Sequence, residues 1–389
     1  MFGGGSSLQL FKLFGFRVGV HYSWFAILFL WILLLRERFE DAIVGSVSGF
    51  VPAVISAFLF FGSIVLHELG HALAARREGI GVGGIDLFFF GGFMRADRDS
   101  ETAGEEFRVA AAGPAVTLLL AVGFLVWGYA LLGGEALVDA ARFAPASGSL
   151  FEVIVAFSAL ANAALFLLNI VPAFPLDGGR IARALVWQIT GDRHRATKFA
   201  AYMGQGFALL MVGWGVFVLI DDLRNSRDPI NGLWWIVLGW MIGGAARAAI
   251  AQSTFQSRLE GITAGDIMDS EPVVIPAALP VERAYEEFFL RYQGWPWFAV
   301  VEEDDRFVGI AHRAAVEHAA LKEDGTQAVR AIVADTDRVR TDTPLESLIG
   351  NEPLRTLGAL MAVDAEGRLR GVVTVDQVSR ALQARLAPS

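Results

Sequence analysis

The chain has no cysteine among its 389 residues. That excludes disulfides and thiolate metal sites, and it leaves histidine, aspartate and glutamate as the only strong ligands. A basic stripe is missing as well: the formal charge is -9, which argues against nucleic acid as a partner. Histidine is scarce, with six in all. Charge is almost absent from some stretches, and between Val51 and Ala75 the only charged side chain is Glu68. What is abundant is apolar: 54% of the residues are hydrophobic and the mean hydropathy is positive, as in membrane proteins. The opening Met1-Phe2-Gly3-Gly4-Gly5 has no basic n-region, and no small-residue cleavage site follows the first apolar stretch, so that stretch is expected to be a retained span.

Apolar segments at about 18–35, 51–75, 109–134, 153–176, 199–220 and 233–246 make six candidate spans, of which the last is short. An even number puts both termini on one side. Lys12, Arg17, Arg76, Arg77, Arg95, Arg98, Arg108, Arg180, Arg183, Arg193, Arg195 and Lys198 fall on the side of the termini, against Arg36, Arg38, Arg142, Arg224 and Arg227 opposite. By the positive-inside rule both termini are cytoplasmic. The composition turns soluble near residue 253, which divides the chain into a membrane domain, 1–252, and a cytoplasmic domain, 253–389.

Within the second apolar segment stands His67-Glu68-Leu69-Gly70-His71. On a helix His67 and His71 share one face four residues apart, so both imidazoles can hold one metal ion while Glu68 beside them handles protons. Two histidines are not enough, because a catalytic zinc keeps three protein ligands and one open position. The fourth segment ends in Asn169-Ile170-Val171-Pro172-Ala173-Phe174-Pro175-Leu176-Asp177-Gly178-Gly179-Arg180, and with both spans running inward Asp177 reaches the depth of the histidine pair. An aspartate before glycine is also a common helix-terminal turn. Beside an intramembrane histidine pair, the coordination argument favours Asp177 as the third ligand. Histidine and carboxylate donors suit zinc, one ion per chain.

These residues carry a resemblance. The His67–His71 motif, Gly113-Pro114 early in the third span, and the 169–178 segment ending in Leu176-Asp177-Gly178 together resemble the site-2 proteases, zinc metalloproteases that cut substrates within the membrane. The resemblance covers about residues 8–250. It implies that His67, His71 and Asp177 bind zinc, that Glu68 is the general base, and that Asn169 orients the substrate backbone or stabilises the oxyanion. The alternative for Asn169 is a hydrogen bond between helices. His21, at the start of the first span, is read either as a contact to the tetrahedral intermediate or as an interfacial histidine among Tyr22 and Trp24.

Residues 85–95 read as a hairpin of two short strands around a Gly91-Gly92 turn. A transmembrane helix hides its peptide bonds, so an edge strand that pairs with an unwound segment is a candidate substrate clamp, with Phe90, Gly91 and Gly92 at its tip. The alternative is a membrane-dipping loop that packs against the bundle.

Beyond residue 253, Asp305-Arg306-Phe307-Val308-Gly309-Ile310 is similar to Gly367-Arg368-Leu369-Arg370-Gly371-Val372, 62 residues on, and Ala264-Gly265-Asp266-Ile267-Met268 precedes both. This resembles a tandem CBS pair. Such pairs often bind adenine nucleotides through a Thr or Ser after the second strand and an Asp three residues later. Here Thr374 is followed by Gln377, with Asp376 one position early, and the first copy has His312 and Ala315. That departure weighs against ribose recognition, so a regulatory module or a homodimer contact is expected.

The fold expected is therefore an α-helical polytopic membrane protein of about six transmembrane helices with a small β-hairpin or sheet element, followed by a C-terminal α/β tandem CBS domain. The function expected is zinc-dependent hydrolysis of peptide bonds in the transmembrane segment of single-pass or membrane-associated regulatory proteins. The rival is a CBS-regulated transporter or channel with His67, Glu68 and His71 as a cation or proton site. Asp177 at matching depth and the lack of an inverted repeat among the spans favour the protease.

Overall fold

The computed structural model describes residues 8–43, 48–88, 91–227, 229–321, 326–336, 338–349 and 351–386. They form two compact units, 1–253 and 254–389.

The first unit opens with strands β1 (Leu8–Leu13) and β2 (Phe16–Val20), then helices α1 (Tyr22–Ala42) and α2 (Phe50–Arg77), strands β3 (Val82–Phe88) and β4 (Gly91–Ala96), and helices α3 (Ala103–Leu132), α4 (Gly134–Ala141), α5 (Leu150–Ile170), α6 (Asp177–Thr190), α7 (Arg193–Arg224) and α8 (Ile230–Leu259). Five of these, α2, α3, α5, α7 and α8, are long and apolar enough to cross a membrane. At about 1.5 Å per residue each exceeds or matches the roughly 30 Å hydrocarbon layer. The segment expected to be the first span, 18–35, is not among the five, where six were expected. Its Val18–Val20 portion lies in β2, and α1 is apolar only to Leu35 before Arg36, Glu37, Arg38, Glu40 and Asp41. Conversely, the short sixth segment belongs to the 30-residue α8. Helix α5, the fourth expected span, ends at Ile170, earlier than its apolar run, because Pro172 and Pro175 cannot continue it.

The four strands make one sheet in the order β1-β2-β3-β4, with β2 and β3 parallel and the other pairs antiparallel. A parallel pair needs a long crossover, and α1 with α2 supplies it. The sheet lies against α2 at the level of the histidine motif: Phe16 and Ile85 bury against Leu69 and Ala72, while Val20 and Leu87 bury against Phe61 and Ile64. Further along α2, Ala53 and Ala57 pack with Phe39 of α1 and with Val153, Ala156 and Phe157 of α5. Small residues bring these helices close where lipid offers no hydrophobic drive.

The second unit contains α9 (Ala264–Ile267), β5 (Val274–Pro276), α10 (Val281–Ala284), β6 (Trp297–Val301), β7 (Phe307–His312), α11 (Arg313–Ala320), β8 (Arg338–Arg340), α12 (Leu345–Leu348), α13 (Glu352–Thr356), β9 (Ala359–Val363), β10 (Leu369–Thr374) and α14 (Val375–Leu386). The sequence similarity is a structural repeat. In each half a short strand pairs parallel with the first strand of an antiparallel hairpin, giving the sheets β5-β6-β7 and β8-β9-β10. The halves join where Phe307 N donates to Gly367 O at 3.0 Å and Leu369 N donates to Asp305 O at 2.9 Å. Phe307, Ile310, Met361 and Leu369 share one core across that seam.

Candidate metal centre

His67 and His71 lie one turn apart on α2, 5% and 3% exposed, and Asp177 opens α6 at 9% exposure. Their ligand atoms all fall within 4.8 Å of one another. Asp177 Oδ2 is 2.9 Å from His67 Nε2 and 3.2 Å from His71 Nε2, and the two Nε2 atoms are 3.2 Å apart. Tetrahedral zinc with bonds of about 2.0–2.1 Å separates its donors by about 3.3 Å, so the three atoms stand at the spacing such an ion requires.

The far sides of the rings fix their tautomers. His71 Nδ1 is 2.7 Å from the Val109 carbonyl, which only accepts, so Nδ1 carries the proton and Nε2 presents a lone pair when the ring is neutral. His67 Nδ1 is 2.7 Å from Thr117 Oγ1, whose own hydrogen goes to the Gly113 carbonyl at 3.2 Å. Thr117 therefore accepts from His67, and that ring too presents an Nε2 lone pair. With both rings neutral, two lone pairs and a carboxylate oxygen converge with no proton among them, a repulsive arrangement in a buried site that a metal cation resolves. The residues fit zinc.

The α3 helix supplies no ligand, yet one of its faces backs the whole centre. Val109, Gly113 and Thr117 recur at helical spacing. A Cβ at Gly113 would sit 2.2 Å from His71 Nε2 and 2.8 Å from His67 Nε2, so only glycine clears the imidazoles. Pro114 lacks the N–H that would reach Ala110, and its ring presses on that carbonyl. That carbonyl lies one residue from Val109, whose own carbonyl serves His71. Gly70 on α2 allows the close approach, since a Cβ there would meet Ala112 O at 2.8 Å.

Asp177 is delivered by a folded turn. Ala173 N donates to Val171 O, Leu176 N to Ala173 O, and the Phe174-Pro175 peptide is cis. The glycine pair follows because a Cβ at Gly178 would lie 2.3 Å from the Ile170 and Val171 carbonyl oxygens, and one at Gly179 would lie 2.3 Å from Phe174 N. The turn is tied to α7, where Phe174 N donates to Ala200 O and Gly204 makes room for the Phe174 carbonyl.

Glu68 is half-buried beside His67 and lies within electrostatic reach of His71, His67 and Asp177. Above it runs β4: a Cβ at Gly92 would be 2.3 Å from Glu68 Cγ and 2.9 Å from its Oε1. The hairpin differs from expectation in one respect. Phe88 pairs with Gly91 and Leu87 with Gly92, so the two glycines begin β4 and do not form the turn. Their smallness serves the approach to Glu68. Phe90 lies outside the described residues.

Two further expected residues lie on other elements. His21 caps α1, with Nδ1 2.9 Å from Ser23 Oγ, while its backbone N donates to Leu87 O, next in the sheet row to Gly92. Asn169 is half-buried on the last turn of α5. Sequence reasoning missed Thr117, the Val109 carbonyl and the carboxylate Glu106. Glu106 is 1% exposed and pairs with Arg180 at 3.1 Å and Arg183 at 2.6 Å. The signal available was the pair of arginines three apart, following Asp177 on one helix.

In the second unit one candidate nucleotide residue, Thr374, is engaged in a local cap. Gln377 Oε1 accepts from Thr374 N at 2.7 Å and from Thr374 Oγ1 at 3.0 Å, while Thr374 Oγ1 accepts from Gln377 N at 3.3 Å. This is a capping box that starts α14. Asp376 is exposed.

A buried histidine pair and an adjacent glutamate on the apolar α2, with a carboxylate from the start of α6, define a metalloprotease centre in a bundle of apolar helices. Comparison with known proteins gives the same class. The model of peptidase family M50 matches residues 55–213, and that of the CBS domain matches 264–321. Rip3 of Mycobacterium tuberculosis is 30% identical over 394 residues, covering 98% of this chain and 94% of Rip3. A protein of Synechocystis sp. is 29% identical over 388 residues, covering 98% of this chain and 97% of its own length. Both carry "zinc metalloprotease" in their names. The solved site-2 protease from Methanocaldococcus jannaschii aligns at 25% identity over 63% of this chain and 95% of that one, with a TM-score of 0.42. The chain belongs to the M50, or site-2 protease, family of zinc metalloproteases and carries a C-terminal CBS domain.

Proposed function

We propose that the chain cleaves peptide bonds in the transmembrane segments of single-pass or membrane-associated regulatory proteins, using one zinc ion held by His67, His71 and Asp177. The observation that carries this reading is the meeting of two Nε2 atoms of the apolar α2 and Asp177 Oδ2 of α6 within 2.9–3.2 Å, beside Glu68. Bound zinc supplies Lewis acidity toward the scissile carbonyl and toward water.

The chain's own residues do the rest. Glu68 takes the proton from the attacking water and returns it to the leaving nitrogen. Among the described residues β4 is an edge strand, since the sheet order ends there, and its outer side offers main-chain donors and acceptors to an unwound substrate. A strand added at that edge runs past Gly92, hence past Glu68. Asn169, on the last turn of α5, is assigned to the substrate backbone or the oxyanion, and His21 to a contact with the tetrahedral intermediate.

The arginine and lysine distribution supports cytoplasmic termini and a cytoplasmic CBS pair, which we assign to regulation or to homodimer assembly. The closed Thr374–Gln377 capping box favours those roles over adenine-nucleotide binding. The test is cleavage of a model transmembrane peptide by purified protein in detergent. Glu68→Gln should retain zinc while turnover falls by about 10²–10⁴-fold, the usual worth of a general base. Full turnover by that variant overturns the mechanism.

A further inference from the structure

We infer that Glu106 and Arg180 are positioning residues that aim Asp177 at the metal. The inference rests on the zinc site proposed above and extends it one shell outward. Asp177 turns Oδ2 toward the two imidazoles, and its other oxygen, Oδ1, lies 4.0 Å from Arg180 Nη1, a contact of charge and not a hydrogen bond. Arg180 in turn gives Nε to Glu106 Oε1 at 3.1 Å, and Glu106 belongs to α3, the helix that already holds His71 through Val109 and His67 through Thr117. Glu106, Val109, Gly113 and Thr117 fall on one α3 face at helical spacing. One rail thus orients all three ligands, two directly and the third through Arg180.

A buried carboxylate such as Glu106 is costly unless paired, and here it meets two guanidiniums, from Arg180 and Arg183. The two arginines differ in a way that separates positioning from plain stability. Both bind the same oxygen of Glu106, but only Arg180 is also paired with Asp177. Loss of a group that orients a metal ligand typically weakens metal binding by about 10–100-fold. Loss of an arginine that only pins α6 to α3 weakens the fold and leaves the remaining ligand geometry unbiased.

The experiment measures zinc affinity of the full chain in detergent by competition with a chromophoric chelator, alongside the melting temperature of the zinc-free protein. Arg180→Gln should bind zinc about 10–100-fold more weakly, while Arg183→Gln keeps the affinity of the unaltered protein and both variants melt earlier without zinc. Unchanged affinity in Arg180→Gln, or equal losses in the two variants, overturns the inference. Should Arg180→Gln not fold, Glu106→Asp, which withdraws the anchor by one methylene and keeps both arginines, is judged the same way: weakened zinc supports positioning, and unchanged zinc overturns it. Absence of zinc from the unaltered protein overturns the zinc site itself together with this inference.

Discussion

The two units treat their polar residues in opposite ways. In the C-terminal unit Thr374 and Gln377 satisfy each other: donors meet acceptors and a helix gains its cap. In the membrane unit His67 and His71 commit their Nδ1 atoms to α3, and with both rings neutral their Nε2 lone pairs face each other and Asp177 Oδ2 with no proton to share. A capping box is complete without a ligand, whereas the buried triad is complete only with a cation. Closeness of polar groups does not by itself mark a site. What marks it is closeness that the protein's own donors and acceptors leave unresolved.

That contrast can be broken or sharpened by substitution. The largest effect is expected at Gly113→Ala, whose Cβ would stand 2.2 Å from His71 Nε2. It should abolish both zinc retention and cleavage, as read by metal analysis and peptide cleavage, and an active, zinc-loaded Gly113→Ala protein would mean that the centre is far looser than drawn. Next comes Gly92→Ala, which must displace Glu68, because its Cβ would approach Glu68 Cγ to 2.3 Å. Zinc should stay, and turnover should drop by about tenfold or more, approaching the loss of the general base. The smallest effect belongs to Thr374→Ala. Loss of a helix cap should cost about 1 kcal/mol in the unfolding of the C-terminal unit, measured by denaturant titration, with zinc content and peptide cleavage unchanged. A loss of cleavage there would tie Thr374 to more than a cap.

How much of this the sequence discloses depends on whether the cause is local. The His67–His71 motif is local, since helix periodicity alone puts both rings on one side. Asp177 is legible because the prolines before it end α5 and the glycines after it permit the tight turn, both backbone effects. The strands of residues 82–96 are legible from their flanks, but the placement of Gly91-Gly92 within β4 is not. It depends on Glu68 lying beneath, a contact between positions far apart in the chain. Thr117 and Glu106 are hidden for the same reason. Each reads as an ordinary helix residue until α2 or α6 packs against α3. The first apolar run, residues 18–35, misleads because hydropathy does not distinguish the buried strand Phe16–Val20 from the start of a helix. In the second unit the repeat is legible from matching residues 62 apart, whereas the Thr374–Gln377 box requires knowing where α14 begins.

The central claim is that one carboxylate from α6 completes a metal site begun by two histidines of α2. Equilibrium dialysis of the purified full-length protein against zinc, comparing the unaltered chain with Asp177→Ala, tests it most directly. One firmly held zinc per chain in the former and none in the latter is the predicted result. Equal zinc in both, held with equal affinity, would contradict it.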